Sequence, residues 1–500
     1  MNLFRTKRVE EFLKDLEEGP QLKRALGPIA LISLGLGAII GAGIFVITGH
    51  AAASYAGPAV AISFIISGIA CALAGLAYAE FAAMVPVAGS AYTYSYATLG
   101  EFWAWFIAWN LVLEYLIAGA TVAVGWSGYV VDLLKQFGIH ISPVLTNAPL
   151  DILSSEEKRK IIESGKDLSF IEKYLGLHFT GSYINLPAVL IVFVVGLILL
   201  IGISESAIVN NIIVILKTFV LLLFVVIGFG NIDVANWDPF IPPSSGNFGE
   251  YGWSGVLRAA GVVFFAYIGF DAVSTAAQEA KNPQRDVPIG ILGSLFIATL
   301  LYIAVSLVLT GVVHYSKLHV PAPIAVAVNA MGPQFGWLML VVKLGAIAGL
   351  TSVILMTLLG QTRIFFAMAR DGLLPESFSK IHSRFKTPYI STIVVTVAAM
   401  FIAAIFPINI LGELVSIGTL LAFSIVCVAV AVLRIKRPEL NRPFKMPLVF
   451  VLAPLGALAC VLQMVFLPLD TWFRLAIWTI IGVSIYFLYG YKHSRLAKKE

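Results

Sequence analysis

The sequence predicts an all-α polytopic membrane protein with about twelve transmembrane helices. The composition carries this prediction: 59% of the 500 residues are hydrophobic and 12% are charged, and the mean hydropathy is +0.92. A soluble chain of this length could not bury so much apolar surface, whereas a bilayer accommodates it. A further observation is a glycine-rich interruption inside the first apolar segment, which indicates that this helix has a special role.

Twelve apolar segments are each long enough to cross a hydrocarbon core of about 30 Å. We number them 1 to 12 in chain order: 28–50, 57–84, 101–134, 185–203, 208–230, 252–278, 287–313, 334–369, 388–407, 410–434, 447–467 and 472–491. An even number places both termini on one side. Most Lys and Arg residues fall in the connections on that side, so we expect cytoplasmic termini and a multi-pass protein of the plasma membrane.

The order of segments indicates an internal repeat. A proline-marked connection, 86–94, lies between segments 2 and 3, and another, 321–328, lies between segments 7 and 8. Each could pack as a short re-entrant helix, and the two lie on opposite sides of the membrane, as an inverted-topology repeat requires. The predicted parts are a cytoplasmic N-terminal segment, a ten-helix core made of two repeats, two additional helices and a cytoplasmic tail. Their bounds are 1–26 for the N-terminal segment, 27–434 for the core, 27–230 and 252–434 for its repeats, 435–491 for the additional helices and 492–500 for the tail, with an external connection at 135–184.

Segment 1 contains Gly37, Gly41 and Gly43, and each glycine costs a helix about 1 kcal/mol relative to alanine. Two explanations remain open on spacing alone. Gly37 and Gly41 form a small-xxx-small pair that suits close helix packing. Alternatively, the helix breaks here, and its freed backbone groups line a ligand cavity. A second glycine at the corresponding place in segment 6, Gly269 beside Asp271, favours the break.

Other classes of protein find little support in the sequence. We find no nucleophile elbow, phosphate loop or zinc-protease motif, so we expect no enzymatic activity. Cys71, Cys427 and Cys460 form no disulfide or metal-binding pattern. No segment shows the regular polar stripe that a channel needs. We expect no cofactor and no nucleic-acid partner, and the lipid bilayer is the expected surroundings.

Four blocks of sequence carry a family resemblance: 37–45, 78–86, 269–288 and 361–375. With these blocks in order, the chain from about Leu26 to Tyr491 resembles the amino acid–polyamine–organocation superfamily, and within it the cationic amino acid transporter branch. The resemblance implies a LeuT-type five-plus-five inverted repeat. It also implies proton-driven symport of L-amino acids, both cationic and small neutral ones. Exchange, or a channel-like permease of another class, is the alternative, and an accessory membrane subunit and the oligomeric state stay open.

The resemblance places the substrate between the broken segments 1 and 6. An amino acid carboxylate favours N–H donors at a helix N-terminus, where the dipole is positive. An ammonium favours carbonyls at helix C-termini. The predicted carboxylate site comprises Gly41 and the amides of Ala42, Gly43 and Ile44. By resemblance, the predicted ammonium acceptors are the carbonyls of Ile39, Ile40, Phe265, Ala266 and Ile268, with the Phe265 ring as a gate over the substrate.

Charged residues inside apolar segments complete the predicted site. Lys217 is a lone cation deep in segment 5, and by resemblance it occupies an ion site and couples transport to a proton, the coupling ion. Glu114 either favours a cationic substrate side chain or pairs with a nearby hydroxyl. Asp271 either shapes the local backbone or takes part in proton movement. Thr357, by resemblance, lies at the side-chain end of the pocket and leaves room for arginine, lysine or ornithine, unless its hydroxyl bonds back to its own helix.

Overall fold

The computed structural model describes residues 5–6, 26–84, 90–152, 177–202 and 207–497. Within them, eight helical stretches are long and apolar enough to cross a membrane. These are Gly43–Met84, Glu101–Gln136, Asn211–Phe229, Gly252–Ser274, Pro283–Val312, Pro333–Arg370, Ile408–Lys436 and Leu469–His493. Four shorter apolar helices accompany them: Pro28–Ile39, Leu186–Ile201, Tyr389–Ile405 and Val449–Val465. The chain is therefore a mostly helical, multi-pass membrane protein.

These helices fall on the twelve predicted segments, with differences at the ends. Segment 1 is divided into Pro28–Ile39 and a second part that begins at Gly43 and ends at Ala56, six residues later than the predicted end. Gly57 then turns the chain into segment 2, and its φ of +59° is a conformation that glycine adopts without strain. Asn185 caps the start of segment 4, because its side chain accepts a hydrogen bond from the Ala188 amide. Gly202 ends the segment in a left-handed conformation with φ +78°.

The helices pack in two groups. Segment 7 lies along segment 2 and along the first part of segment 1, and segment 6 also contacts segment 2. In the other group segment 8 lies along segment 3, and segment 9 along segment 4. The predicted repeat makes segment 7 the counterpart of segment 2, segment 8 of segment 3, and segment 9 of segment 4. In the structure, the two members of each of these pairs pack against each other.

The two proline-marked connections contain short helices, Ser90–Thr98 and Pro323–Ala330. This agrees with the prediction for both, although residues 85–89 of the first connection lie outside the described part. In the external connection, Leu150–Ile152 pairs with Leu177–Phe179 as an antiparallel two-stranded sheet. The sequence did not predict this sheet. The sequence also predicts a helix start at 154–160 and a short N-terminal helix at 9–16, and both lie outside the described residues.

The helices define two faces of the molecule. The near face carries both described chain ends, because the Arg5 guanidinium lies 5.4 Å from the Tyr491 ring centre. Leu26, just before segment 1, pairs there with Ala280, just after segment 6, in a parallel bridge. The far face carries the end of segment 1 at Tyr55 and the start of segment 6 at Gly252.

Candidate substrate site between two broken helices

The first helix break lies at Ile40 and Gly41. The helix Pro28–Ile39 ends where Ile40 adopts an extended backbone with φ −74° and ψ 98°. A new helical path begins at Gly43 with a π-helical turn, Gly43–Ile47. Because the first N–H groups of a helix have no partner within it, this start presents amide donors at the break. The glycine spacing left close helix packing and a helix break both open, and the structure shows the break.

The second break lies in segment 6, opposite the first. Its helix Gly252–Val263 tightens into a 3₁₀ turn, Phe264–Tyr267, and ends where Ile268 is extended. Gly269 follows with φ +110°, which a side chain would disfavour. A Cβ at Gly269 would lie 3.0 Å from the Ala38 backbone, and a Cβ at Gly43 would lie 2.3 Å from the Ala266 Cα. The two breaks are therefore in direct backbone contact, and glycine is what permits it.

A cavity of about 30 Å³ opens beside the breaks. Four elements line it, namely segments 1, 3, 6 and 8. Of the predicted site residues, the lining includes Ile39, Gly41, Ala42, Gly43, Glu114, Phe265, Ile268 and Thr357. The lining does not include the other predicted site residues. Four of them are next to lining residues in the sequence, namely Ile40, Ile44, Ala266 and Asp271, and Lys217 contacts Ile40. Most of the remaining lining is apolar, including Ala118, Val122, Val353 and Met356.

Tyr302, from segment 7, lies between the carbonyl groups of the two breaks. Its hydroxyl is fully buried and is 2.9 Å from the carbonyl oxygens of both Ile39 and Ala266. A hydroxyl has one proton, so it satisfies one of these acceptors at a time. The other carbonyl keeps acceptor capacity that a substrate ammonium can use. Tyr302 was not predicted as a site residue from the sequence, because a tyrosine in an apolar segment is usually a packing residue.

Lys217 reaches the first break from segment 5. Its side chain is fully buried, and its Nζ donates to the carbonyls of Gly37 at 2.5 Å and Ile40 at 2.8 Å. These carbonyls are at the C-terminal end of a helix, where the dipole favours a cation. The lysine stem also packs on segment 8, because a Cβ at Gly349 would lie 3.2 Å from its Cδ. Lys217 thus links segments 5, 1 and 8. The Ile40 carbonyl, predicted as an ammonium acceptor, already binds this lysine.

The two deep carboxyl groups lie together on the near side of the cavity. Glu114 is in a π-helical turn, Leu113–Ile117, that interrupts segment 3, and it interacts electrostatically with Asp271. The Tyr115 hydroxyl donates to Asp271 Oδ2 at 2.5 Å. Glu114 also contacts the Asp271 carboxyl as a side-chain hydrogen-bond partner, and within the described part of the chain its two oxygens have no further hydrogen-bond partner. A buried acceptor that borders a cavity in this way is suited to a cationic or hydrogen-bond-donating ligand.

Thr357 lines the cavity, but its hydroxyl is engaged. The Oγ1 donates to its own helix, at 2.9 Å from the Val353 carbonyl and 3.0 Å from the Ile354 carbonyl. This is the alternative that the sequence analysis left open. The hydroxyl proton is therefore not free for substrate, although the oxygen can still accept a hydrogen bond. Gly119 faces it, since a Cβ there would lie 2.9 Å from Oγ1.

The site has polar backbone groups at paired helix breaks, a small cavity beside them and buried charges close by. Within a multi-pass helical membrane protein, this arrangement defines the class of membrane carriers with a central binding site. The comparisons with known proteins then place the chain within that class. A family model described as amino acid permease matches residues 26–486. The chain belongs to this family, part of the amino acid–polyamine–organocation superfamily that the sequence resembles.

Named relatives cover almost the whole chain. A methylthioribose transporter of Bacillus subtilis (strain 168) is 43% identical over 99% of this chain and 100% of its own length. The branched-chain amino acid permease BcaP of the same organism is 43% identical over 99% of both chains. The vacuolar cationic amino acid transporter 4 of Arabidopsis thaliana is 38% identical over 88% of this chain and 68% of its own. All three are named as transporters or permeases rather than as enzymes.

Proposed function

We propose that this protein imports L-amino acids together with protons, by alternating access of the cavity between segments 1 and 6. In this proposal the near face is cytoplasmic, the far face is external, and all twelve segments cross the plasma membrane in a LeuT-type five-plus-five arrangement. Membership of the amino acid permease family supports amino acid transport. The pairing of counterpart segments and the two opposed breaks support the repeat.

The observation that carries proton coupling is the contact of Lys217 with the break of segment 1. A protonated amine holds the Gly37 and Ile40 carbonyls by charge-assisted hydrogen bonds, which are about twice as strong as neutral ones. A neutral amine holds them less firmly. Loss of the proton therefore loosens the first part of segment 1 from segments 5 and 8, and this gives a way to link protonation with opening.

The proposed substrates are cationic and small neutral amino acids. The carboxylate would bind the amides at Ala42, Gly43 and Ile44, and the ammonium would use the free acceptor capacity of the break carbonyls. The cavity lining is mostly apolar and suits short side chains, while Glu114 offers a carboxylate to a longer cationic one. Two relatives are named for methylthioribose and for branched-chain amino acids, so both compounds belong in the competition assays.

Purified protein in liposomes tests this proposal. We expect saturable uptake of a tracer amino acid that requires a pH gradient and no sodium, and that arginine, lysine and alanine inhibit. Uptake that requires preloaded amino acid and ignores the pH gradient would identify an exchanger. Inhibition by methylthioribose with none by any amino acid would contradict the proposed substrate class.

A further inference from the structure

Two buried amide side chains in segments 3 and 8 have polar atoms without a partner. Gln361, in segment 8, is fully buried, and neither its Oε1 nor its Nε2 has a hydrogen-bond partner among the described residues. Asn110, in segment 3, is 1% exposed. Its Nδ2 donates to the Phe106 carbonyl at 2.8 Å, whereas its Oδ1 has no partner in the same part of the chain. Burial of a polar group without a hydrogen bond is costly, so these atoms indicate a place for water or a ligand.

The two amides lie between the cavity and the near face, because segments 3 and 8 each have one end at that face. At the start of segment 3, the Glu101 amide donates to the Arg5 carbonyl at 2.8 Å. At the end of segment 8, the Asp371 carbonyl accepts from the Arg495 amide at 3.0 Å. Both amides fall between these ends and the residues that line the cavity.

Both amides continue the cavity lining towards the near face. In segment 8 the lining residues Val353 and Thr357 are four positions apart, and Gln361 follows four positions later on the same side of the helix. Side chains in a helix lean towards its N-terminus, so the Gln361 side chain leans back towards Thr357 and the cavity. In segment 3, Asn110 precedes the lining residue Glu114 by one turn.

The contact between segments 3 and 8 sets the level of Gln361 along the molecule. A Cβ at Gly360 would lie 2.7 Å from the Tyr115 ring, so the segments approach closely at these two residues. Gln361 directly follows Gly360, and Glu114 directly precedes Tyr115. Gln361 and Glu114 therefore lie at the same level, on the two sides of the near end of the cavity.

We propose that Gln361, Asn110 and Glu114 form a polar pocket that receives the cationic end of a long substrate side chain. A guanidinium has five N–H donors and an ammonium has three. The acceptors for them are Gln361 Oε1, Asn110 Oδ1 and the Glu114 carboxyl, and the two amides add acceptors without adding charge. This inference rests on the proposed function and deepens it, since it assumes that the substrate backbone binds at the helix breaks.

The pocket gives a physical reason for the proposed substrate range. The side chain of alanine ends before the pocket, so water can satisfy the amides while alanine is bound. Arginine or lysine replaces this water with donors of its own. Leucine would place an apolar group against the amides, and displacement of ordered water without replacement of its hydrogen bonds loses affinity. We therefore expect cationic and small amino acids to bind more tightly than branched-chain ones.

Substitution of the glutamine tests the pocket. Gln361→Met removes the amide and nearly conserves the side-chain volume. We expect this variant to bind arginine at least about tenfold more weakly, the effect of losing one hydrogen bond to a charged group. Alanine should bind within about twofold of the parent, and leucine at least about threefold more tightly, because no amide is then left unsatisfied. Calorimetry on the purified protein gives the three dissociation constants.

Gln463→Met is the matched control, since it makes the same change at a buried glutamine that already has a partner. Gln463, in segment 11, is 2% exposed, and its Oε1 accepts from the Ser67 hydroxyl at 3.1 Å. Its loss should leave the ratio of the arginine and alanine dissociation constants unchanged. Asn110→Leu tests the pocket independently of Gln361 and should weaken arginine relative to alanine.

The selectivity of the parent decides the matter even if both pocket variants fail to fold. A parent that binds leucine as tightly as arginine would overturn the pocket. Equal effects on arginine and alanine in either folded variant would also overturn it. A parent with the expected selectivity that accumulates no amino acid under a pH gradient would support the pocket while contradicting proton-coupled uptake. A parent that binds no amino acid would contradict both.

Discussion

At the residue scale, one hydroxyl holds the two half-helices together. Tyr302 is within hydrogen-bond distance of the Ile39 and Ala266 carbonyls, and a hydrogen bond of this kind contributes about 1 kcal/mol net. Without it, two helix C-termini with like partial charge face each other at the site. Tyr302 is therefore expected to set the spacing of the ammonium acceptors as well as to stabilise the fold.

We predict that Tyr302→Phe weakens substrate binding about five- to tenfold, the loss expected from one hydrogen bond. Dissociation constants from calorimetry on the purified protein measure it. Tyr267→Phe is a matched control, because its buried hydroxyl donates to the Phe64 carbonyl at 2.8 Å and not to a break. If both variants bind substrate equally, Tyr302 has a structural role alone.

Thr357 tests the substrate range. Methionine at this position would fill part of the cavity and press on Gly119. We predict that Thr357→Met lowers competition by arginine at least about tenfold and leaves competition by alanine within about twofold, since loss of a long side chain's space costs more than about 1 kcal/mol. Thr357→Ser, which keeps the hydroxyl, is the control. Equal losses for arginine and alanine, or a parent that does not bind arginine, would contradict the proposed range.

Some site residues could be predicted from the sequence and others could not. Lys217 stands out because a lysine in an apolar run is costly unless it has partners. Its two acceptors were not predictable, since they depend on how the broken end of segment 1 lies against segment 5. Tyr302 has no sequence signal of this kind, because tyrosine is a common packing residue in apolar segments.

At the element scale, the two breaks form one packed unit. Gly43 has no room for a side chain, as its Cβ would lie 2.3 Å from the Ala266 Cα, well inside normal contact. We predict that Gly43→Val removes substrate-dependent thermal stabilisation and lowers the melting temperature, because backbone atoms cannot move aside as a flexible side chain can. Differential scanning fluorimetry with and without substrate measures both effects.

Gly336→Val is the control for this variant, because a Cβ at Gly336 meets nothing within 4 Å. It should keep the full stabilisation by substrate. If Gly43→Val is also stabilised by substrate as the parent is, then the carboxylate site is not at this break.

Element boundaries followed from the sequence where glycine or proline marks them. The breaks at Gly41 and Gly269 are of this kind. The π-helical turn Leu113–Ile117, which contains Glu114, has no glycine or proline. The sequence therefore predicted segment 3 as a continuous helix. The strand pair Leu150–Ile152 and Leu177–Phe179 was also missed, because each strand has three residues and their pairing spans a long connection.

At the scale of the whole molecule, buried charged contacts tie the C-terminal part of the chain to the ten-helix core. Thr471 and Arg474 of segment 12 contact the buried carboxylate of Glu413 in segment 10, and Arg442, just before segment 11, forms an ion pair with Glu80 of segment 2. The sequence predicted segments 11 and 12 as additions to a ten-helix core. Composition alone showed a multi-pass protein, but it could not show which buried charges meet, because that depends on packing between distant segments.

In the proposed mechanism, protonation of Lys217 couples the pH gradient to transport. The direct measurement is accumulation of tracer amino acid in proteoliposomes under an imposed pH gradient, compared for the parent, Lys217→Met and Lys343→Met. Lys343 is also buried, but its Nζ pairs with Asp132 Oδ2 at 3.0 Å and Gln136 Oε1 at 3.1 Å near the far end of segment 3, so it controls for loss of a buried lysine. We predict that Lys217→Met remains folded, binds substrate and loses accumulation above equilibrium, while Lys343→Met accumulates as the parent does. Accumulation by Lys217→Met at the level of the parent would contradict the claim.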